Sequence, residues 1–274
     1  LSFPLGVAIL RMVARAVASV LNNAQDGIVF VVGSIGTFEM GFIFAFHVLP
    51  VIVFFSSLVS VLYHLGIMGW LIRFIGGGLQ RLLKTSQAES MSATATIFVG
   101  QTEAPLIVRP YIASMTRSEL FAIMVGGMST VAGSVLAGYV LLGVEIQYLL
   151  AASFMAAPGG FLMAKLLMPE SEQFKNEDGE FKLEFEAHVN VIDAAASGAS
   201  SGMTLALNVG AMVLAFVGLI ALVNTLLGSI GGMFGFESLS LQLLLGYAFQ
   251  PLAFIVGVPW EETRLAGSLI GQKL

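Results

Sequence analysis

Long runs of apolar residues alternate with short polar segments along this chain. No Asp, Glu, Lys or Arg occurs in residues 40–72, 120–144 or 204–230, and in residues 146–168 the only charged side chain is Lys165. A helix that spans a bilayer needs about 20 apolar residues. Each run therefore predicts a spanning helix, and Lys165 is expected to extend its charge towards the membrane surface.

Glycines and hydroxyl side chains cluster in the middle of the run at residues 120–144. They include Gly126, Gly127, Ser129, Thr130 and Gly133. One interpretation is ordinary close packing of helices through small residues. The other is an unwound section whose carbonyl and hydroxyl oxygens can hold an ion.

Other segments have the mixed apolar and basic pattern of helices that lie along a membrane surface. Near the start, Arg11 and Arg15 are four residues apart and share one helix face. Residues 69–84 form a second such helix, which we expect to break at Gly76-Gly77-Gly78. Residues 239–258 form a further apolar stretch, which we expect to break at Pro251.

A polar segment at residues 86–117 separates the apolar runs. Each limb on either side of its centre has about a dozen residues, or about 18 Å of helix, and reaches only the middle of a bilayer. The first limb carries alternating hydroxyl side chains, from Ser90, Ser92, Thr94 and Thr96. Two half-helices joined by a turn form a re-entrant hairpin, which lipid tolerates where protein encloses the polar tip. The tip is therefore predicted to bind a polar molecule.

The predicted tip carries three different polar side chains in a row. Gln101 supplies an amide, Thr102 a hydroxyl and Glu103 a carboxylate, and Gly100 allows a tight turn. The alternative is that Glu103 ends a helix at the water interface. Apolar residues continue at 106–108, which favours a position inside the membrane, where an ionisable group usually serves a function.

The composition is that of an integral membrane protein. Hydrophobic residues make up 57% of the chain and charged residues 11%, whereas a soluble domain has about 45–50% and about 25%. The formal charge of −5 is concentrated in an acidic loop at residues 169–186, so a nucleic-acid partner is not expected. The chain has no cysteine, which excludes disulfides and thiolate metal sites.

Three motifs occur in an order that resembles the concentrative nucleoside transporters. Residues 100–106 read GQTEAPL and are followed by VRPY at 108–111, and residues 133–136 and 190–199 also resemble that family. The resemblance implies an all-α integral membrane protein with spanning helices, re-entrant helical hairpins, interfacial amphipathic helices and a two-fold internal repeat. It implies a multi-pass protein of the plasma membrane or bacterial inner membrane, in contact with lipid and assembled as a homotrimer. Its function would be the import of nucleosides such as uridine by sodium-coupled secondary active transport with alternating access.

The resemblance also implies roles for individual residues. Gln101, Thr102 and Glu103 would bind the nucleobase, with Val135 packed against it. Sodium would be held by carbonyl oxygens of Thr96, Val99 and Val131 and by hydroxyl oxygens of Thr102 and Thr130. No cofactor besides the coupling ion is expected. Family members often carry Asn at the position of Thr96, and this difference leaves proton coupling through Glu103 open.

The order of hydropathy recurs along the chain, as it does in transporters with structural repeats. One pass runs over residues 6–117 and the second from about 187, where Glu261, Glu262 and Arg264 would begin a second hairpin. The predicted segments are an interfacial amphipathic helix and linker at 1–36, spanning helices at 37–68 and 204–236, an amphipathic helix and first hairpin at 69–117, two spanning helices with the first discontinuous at 118–168, an acidic loop and interfacial helix at 169–203, and a second amphipathic helix with the start of a second hairpin at 237–274. The family's ribose-binding residues are expected beyond Leu274 and further spans before Leu1, so we expect the complete protein to be longer.

Two other functions fit parts of the pattern. An ion channel built on a re-entrant hairpin explains the hydroxyls and Glu103, but it does not explain Gln101 beside them. An intramembrane enzyme would use Glu103 as a base. The sequence shows no paired intramembrane Asp, His-Glu metal motif or Ser-Lys dyad to accompany it, so we do not expect an enzyme.

Overall fold

The computed structural model describes residues 4–37, 41–99, 104–131, 133–172, 188–233, 235 and 239–273, and these residues form helices without any strand. The α-helices are α1 (Pro4–Val32), α2 (Phe44–His47), α3 (Leu49–His64), α4 (Ile67–Leu83), α5 (Gln87–Thr96), α6 (Ala104–Ile107), α7 (Arg117–Ser129), α8 (Gly133–Leu141), α9 (Ile146–Leu167), α10 (Val191–Met233), α11 (Leu241–Ile255) and α12 (Thr263–Lys273). Short 3-10 helices occupy Gly33–Gly36 and Arg109–Ser114. The prediction of an all-helical protein is confirmed.

Four of the described segments are long and apolar enough to cross a membrane. They are Met12–Gly36, Phe44–His64, Ile146–Leu167 and Val191–Met233. The first of them is the segment that the sequence predicts to lie along the surface. The last has 43 residues, or about 64 Å at 1.5 Å per residue, so only part of α10 can lie in a hydrocarbon layer of about 30 Å.

The chain forms two compact units, Leu1–Asn208 and Val209–Leu274. In the first unit α5 lies at the centre and contacts α4, α6, α7 and α9, while α3 packs on α8 and on α1. Two apolar clusters flank α5. One joins it to α4 and α7 through Ile72, Met91 and Ile123, and the other joins it to α9 through Ala93 and Phe161. In the second unit α12 packs along α11.

Two predicted helix breaks are wrong. α4 continues through Gly76, because this glycine serves close packing rather than a turn. A Cβ at Gly76 would lie 2.8 Å from Met91 Sδ and 3.2 Å from the Ser90 carbonyl oxygen, so its absence lets α5 approach. α11 likewise continues through Pro251, which it contains as an internal residue. A helix can tolerate a proline when neighbouring groups satisfy the carbonyl that loses its N–H partner.

The interfacial helix and the spanning helix that the sequence separates near residue 204 form one continuous helix, α10. Residues 191–233 contain no proline, and each of their glycines weakens the helix by only about 1 kcal/mol. Two glycines four residues apart, Gly198 and Gly202, instead form a contact face for α3. A Cβ at Gly198 would lie 2.7 Å from the Ser56 carbonyl oxygen, and one at Gly202 would lie 2.9 Å from Val53 Cα. This is the packing through small residues that helices in membranes favour.

We expect Gly198→Ala to destabilise the protein, because the added methyl group must displace the α3 backbone. Overpacking of this kind costs about 1–3 kcal/mol. Gly218→Ala is a matched control on the same helix, since a Cβ at Gly218 meets nothing within 4 Å, and it should leave stability unchanged or raise it. Thermal unfolding of the purified proteins in detergent measures both effects. An equal unfolding temperature for the two variants would contradict the close contact between α10 and α3.

Candidate functional site

α5 is a short helix of small and hydroxyl-bearing residues. All residues of α5 after Gln87 are buried. Every residue from Ala88 to Thr96 is at most 3% exposed. Its hydroxyl groups bond locally: Thr94 Oγ1 donates to the Ser90 carbonyl at 2.8 Å, Thr96 Oγ1 donates to the Ala93 carbonyl at 2.7 Å, and Ser90 Oγ lies 2.6 Å from Thr85 Oγ1. The hydroxyls of Ser90, Thr94 and Thr96 thus bond close to their own backbone, whereas Ser92 Oγ is buried without a hydrogen-bond partner among the described residues. Apolar side chains of α4, α7 and α9 pack directly on α5.

The N-termini of α5 and α7 share one capping arrangement. The Glu89 N–H donates to Ser86 Oγ at 3.2 Å, and the Ser86 N–H donates to the Glu89 carboxylate at 2.9 Å. Thr116 and Glu119 make the same pair of bonds at 3.1 and 2.7 Å. Each capping box satisfies two backbone donors that no helical carbonyl can reach. Both glutamates are buried, and their negative charge lies where the helix dipole favours it.

Lys165, near the C-terminal end of α9, joins these two helix starts. Its Nζ lies 2.6 Å from Glu89 Oε1 and 3.2 Å from Glu170 Oε2, and it donates to Ser118 Oγ at 2.8 Å. The sequence predicts that Lys165 extends its charge towards the membrane surface, and the structure adds that this charge has protein partners. The Glu89 side chain is 0% exposed, and a carboxylate in that position requires a partner of opposite charge. We call Lys165, Glu89, Glu170, Ser118 and Thr116 the lysine cluster, since Thr116 Oγ1 also donates to Glu170 at 3.0 Å.

The other ends of α5 and α7 are helix interruptions that touch each other. α5 ends at Thr96, and α7 ends at Ser129, after which Thr130 is extended with φ −109° and ψ 164°. α8 then begins at Gly133. A Cβ added at Gly133 would lie only 2.5 Å from the Phe98 carbonyl oxygen. Glycine at this position therefore lets the interruption after α7 approach the backbone that follows α5.

The predicted nucleobase-binding residues Gln101, Thr102 and Glu103 lie outside the described residues. On either side of them the chain is buried, and Val99 and Ala104 belong to one apolar cluster. Residues of this cluster therefore flank the predicted site on both sides in the sequence.

The other predicted site residues come from the two interruptions. Thr96 and Val99 lie at the interruption after α5 and are 1% and 6% exposed. Thr130 and Val131 lie at the interruption after α7, and Val135 follows in the first turn of α8; all three are half-buried. The contact of Gly133 with the Phe98 backbone brings these two segments together.

The two interruptions offer oxygen atoms and negative helix ends. The C-terminal carbonyls of α5 and α7 carry partial negative charge, which attracts a cation. Thr130 Oγ1 donates to the Gly126 carbonyl at 3.2 Å, so its lone pairs are available to accept. Among the described residues, no group of three or more His, Cys, Asp or Glu is placed to hold a metal ion. The described residues at these interruptions offer carbonyl and hydroxyl oxygens, which are ligands that hard cations prefer.

The sequence reasoning missed the lysine cluster. One signal was available: Ser86 and Glu89, and again Thr116 and Glu119, have the S/T-x-x-E spacing of a capping box before a helix. That spacing locates both helix starts. It does not indicate Lys165 as their common partner, because the contact depends on how α9 packs against them.

Comparison with known proteins identifies the family. The family model described as "Nucleoside recognition" matches residues 45–145, and that described as "Na+ dependent nucleoside transporter C-terminus" matches residues 148–274. The uncharacterized transporter YutK of Bacillus subtilis is 54% identical and aligns with 100% of this chain and 68% of its own length. The chain belongs to the concentrative nucleoside transporter family. This family consists of integral membrane transporters and not enzymes, as the sequence predicts.

Other members of the nucleoside transporter family align over nearly the whole chain. The nucleoside permease NupC of Helicobacter pylori is 50% identical over 99% of this chain and 66% of its own length. The solved structure of CNTnw in an inward-facing substrate-bound state is 55% identical with a TM-score of 0.92, and covers 99% of this chain and 65% of CNTnw. A CNTnw variant in an outward-facing state also has a TM-score of 0.92. The chain therefore spans about two thirds of the length of these bacterial relatives.

The carboxylate of Glu170, which follows α9, has a perturbed pKa in this transporter. Burial raises the pKa of Glu170, but hydrogen bonds from the Glu172 N–H, Lys165 and Thr116, together with the Lys165 charge, lower it below its ordinary value of 4.5. A carboxyl whose pKa is lower in the folded state stabilises the fold above the unfolded-state pKa. That contribution is lost as the pH falls through the folded-state value.

We expect the wild-type transporter to lose stability more steeply than Glu170→Gln as the pH falls below 4.5, because only the wild type must protonate Glu170. The measurement is the unfolding temperature in detergent, taken in steps from about pH 7 to about pH 3. Glu172→Gln is the control, since its side chain is exposed and its backbone N–H remains. It should keep the wild-type slope, whereas one common slope for all three proteins would contradict the role of Glu170.

Proposed function

We propose that this protein imports nucleosides by sodium-coupled secondary active transport with alternating access. The observation that carries the proposal is the contact between the interruptions after α5 and α7, in a chain whose relatives include a nucleoside permease. Interrupted helices expose carbonyl groups that a continuous helix would use, and transporters employ such segments to bind substrates and ions. CNTnw has been solved in inward-facing and outward-facing states, which supports alternating access in this relative.

The nucleobase is proposed to bind at Gln101, Thr102 and Glu103, with Val135 packed against it. Support comes from the chain on both sides of these residues, since Val99 and Ala104 enter one buried cluster. Lipid tolerates a polar re-entrant tip where protein encloses it, and the buried residues on both sides fit such an enclosure. An amide, a hydroxyl and a carboxylate in sequence supply both donors and acceptors for the edge of a neutral base.

Sodium is proposed to bind between the interruptions, with carbonyl oxygens of Thr96, Val99 and Val131 and hydroxyl oxygens of Thr102 and Thr130. The Thr96 hydroxyl already donates to Ala93, so Thr96 would contribute its carbonyl. No side-chain carboxylate is required, since the helix ends supply partial negative charge. The description "Na+ dependent nucleoside transporter C-terminus" of the matching family supports sodium as the coupling ion.

The internal repeat is supported by the packing of two helix pairs. α4 packs on α5 through Gly76, and α11 packs on α12 through Gly246 and Gly267, where a Cβ at Gly267 would lie 2.7 Å from the Gly246 carbonyl oxygen. In each pair an apolar helix contacts a short polar helix that follows it. We propose that α12 begins a second hairpin, and that the complete protein forms a homotrimer as the family resemblance implies.

We expect Gln101→Ala and Glu103→Ala to impair uridine uptake without loss of folded protein. A hydrogen bond between neutral groups contributes about 0.5–1.5 kcal/mol and one to a charged group about 1.5–3 kcal/mol. These energies correspond to losses in kcat/KM of up to about tenfold for Gln101→Ala and of about tenfold to a hundredfold for Glu103→Ala. Initial rates of labelled uridine uptake into proteoliposomes measure both. Gln147→Ala, on an exposed glutamine of α9, is the control and should transport normally.

Wild-type uptake by both Gln101→Ala and Glu103→Ala would exclude the proposed nucleobase site. Wild-type protein that conducts sodium without saturable uridine uptake would instead support the ion channel.

We expect uridine uptake to require sodium. Replacing sodium by choline at constant pH should abolish concentrative uptake, because the proposed site binds a small bare cation through oxygen atoms and choline is too large to enter it. The measurement is uridine accumulation in proteoliposomes with an imposed gradient of each cation. Unchanged accumulation in choline, combined with a loss of accumulation when the proton gradient is collapsed, would assign the coupling to protons through Glu103.

A further inference from the structure

The lysine cluster lies at one end of the two helices whose other ends form the proposed binding site. Lys165 contacts Glu89 in the first turn of α5 and Ser118 in the first turn of α7. Thr96 and Thr130 lie at the opposite ends of the same helices. At 1.5 Å per residue, about 11 Å of helix separates Glu89 from Thr96, and about 18 Å separates Ser118 from Thr130. Lys165 is therefore remote from the bound nucleoside and ion but is joined to both segments that would hold them.

The ion pair between Lys165 and Glu89 can fix the position of α5 along its helix axis. Glu89 uses one carboxylate oxygen to accept the Ser86 N–H, and its other oxygen lies 2.6 Å from Lys165 Nζ. Its side chain is 0% exposed, so water cannot replace the lysine. An apolar contact would let α5 slide along α9, whereas a buried ion pair with a short distance fixes the position of α5 along its axis.

The contact with α7 uses the same ammonium group of Lys165. Lys165 Nζ donates to Ser118 Oγ, which in turn donates to the Met168 carbonyl at 2.8 Å. The end of α9 thus contacts α7 through Ser118 and α5 through Glu89. One cation therefore sets the axial position of α5 relative to α7.

This relative position decides how the two interruptions meet. The Gly133 backbone passes so near the Phe98 carbonyl that a single added carbon would lie 2.5 Å away. A displacement of α5 along its axis by about 1 Å would open or close this contact, and misplacement of that size in a binding site can lower its efficiency by up to about a hundredfold.

We propose that Lys165 is a positioning residue for the nucleoside and sodium site. By holding the first turns of α5 and α7 in one axial register, it aligns the oxygens of the interruption after α5 with those of the interruption after α7. The inference rests on the proposed function, since it names what sets the geometry of that same site.

The test compares the full-length Lys165→Met protein with Lys165→Arg and with the control Arg81→Met, which removes a positive charge from an exposed position on α4. In proteoliposomes, Lys165→Met should raise both the KM for uridine and the half-saturating sodium concentration about fivefold or more. Lys165→Arg keeps the charge and should restore both values to within about twofold of wild type, and Arg81→Met should leave them unchanged.

A lysine that only stabilises the fold predicts a different result. Lys165→Met would then lower the maximal rate in proportion to the loss of folded protein, with the KM for uridine and the half-saturating sodium concentration unchanged, and this outcome would overturn the proposal. If Lys165→Met does not fold, the double variant Glu89→Gln/Lys165→Met is used instead, because it also removes the buried charge that Lys165→Met leaves unpaired. The double variant is judged by the same two values, the KM for uridine and the half-saturating sodium concentration.

Hydrogen exchange separates this inference from the proposed function. The amides at residues 97–99 and 130–131 should exchange about fivefold faster or more in Lys165→Met than in wild type, while those of Arg81→Met should not change. Unchanged exchange would overturn the positioning role whatever the protein transports. Wild-type protein without saturable uridine uptake would overturn the proposed function, and the exchange result would then still decide whether Lys165 positions the two interruptions.

Discussion

A polar helix can lie at the centre of an oily protein when its hydrogen-bonding groups have partners close at hand, and α5 meets this condition at every hydroxyl except Ser92 Oγ. Its threonine hydroxyls bond to carbonyls three or four residues back, and its first turn is closed by Ser86 and Glu89. Without these bonds each buried hydroxyl would cost about 1–3 kcal/mol. Because they are made within α5 itself, the surfaces around it remain apolar, and α4, α7 and α9 can pack on it directly.

The two ends of α5 and α7 have opposite character. At the first turns, capping boxes satisfy backbone N–H groups, and Lys165 pairs with the buried carboxylate of Glu89. At the far ends, the helices stop near Thr96 and Ser129, and the chain leaves its regular hydrogen-bonding pattern. Helix ends whose hydrogen-bonding groups have partners resist movement. Helix ends at an interruption keep carbonyl oxygens available for a ligand. A family of transporters needs both properties, since a site must bind its cargo and also release it.

Glycine serves two different purposes here, and residue identity does not distinguish them. Gly76 lies inside a continuous helix, where its missing side chain admits Met91 of α5. Gly133 lies at the start of α8, where it admits a backbone carbonyl. The sequence favoured a break at Gly76, but the helix continues because a neighbouring helix fills the space above it. Likewise α10 is one helix where the change from small polar to large apolar residues indicated two, since that change alters its neighbours and not its backbone.

Local information was sufficient for the class of protein and the family. Apolar runs of about 20 residues have few alternatives to a helix in lipid, and the GQTEAPL motif at residues 100–106 is read directly from the chain. Contacts between residues distant in the chain required the packed structure. The sequence does not show that Lys165 lies beside the buried Glu89, and it leaves the role of Gly133 open between close packing and an unwound section until α8 meets Phe98. The physical reason is that hydropathy and capping act over a few residues, whereas the partner of a buried charge depends on which helices pack together.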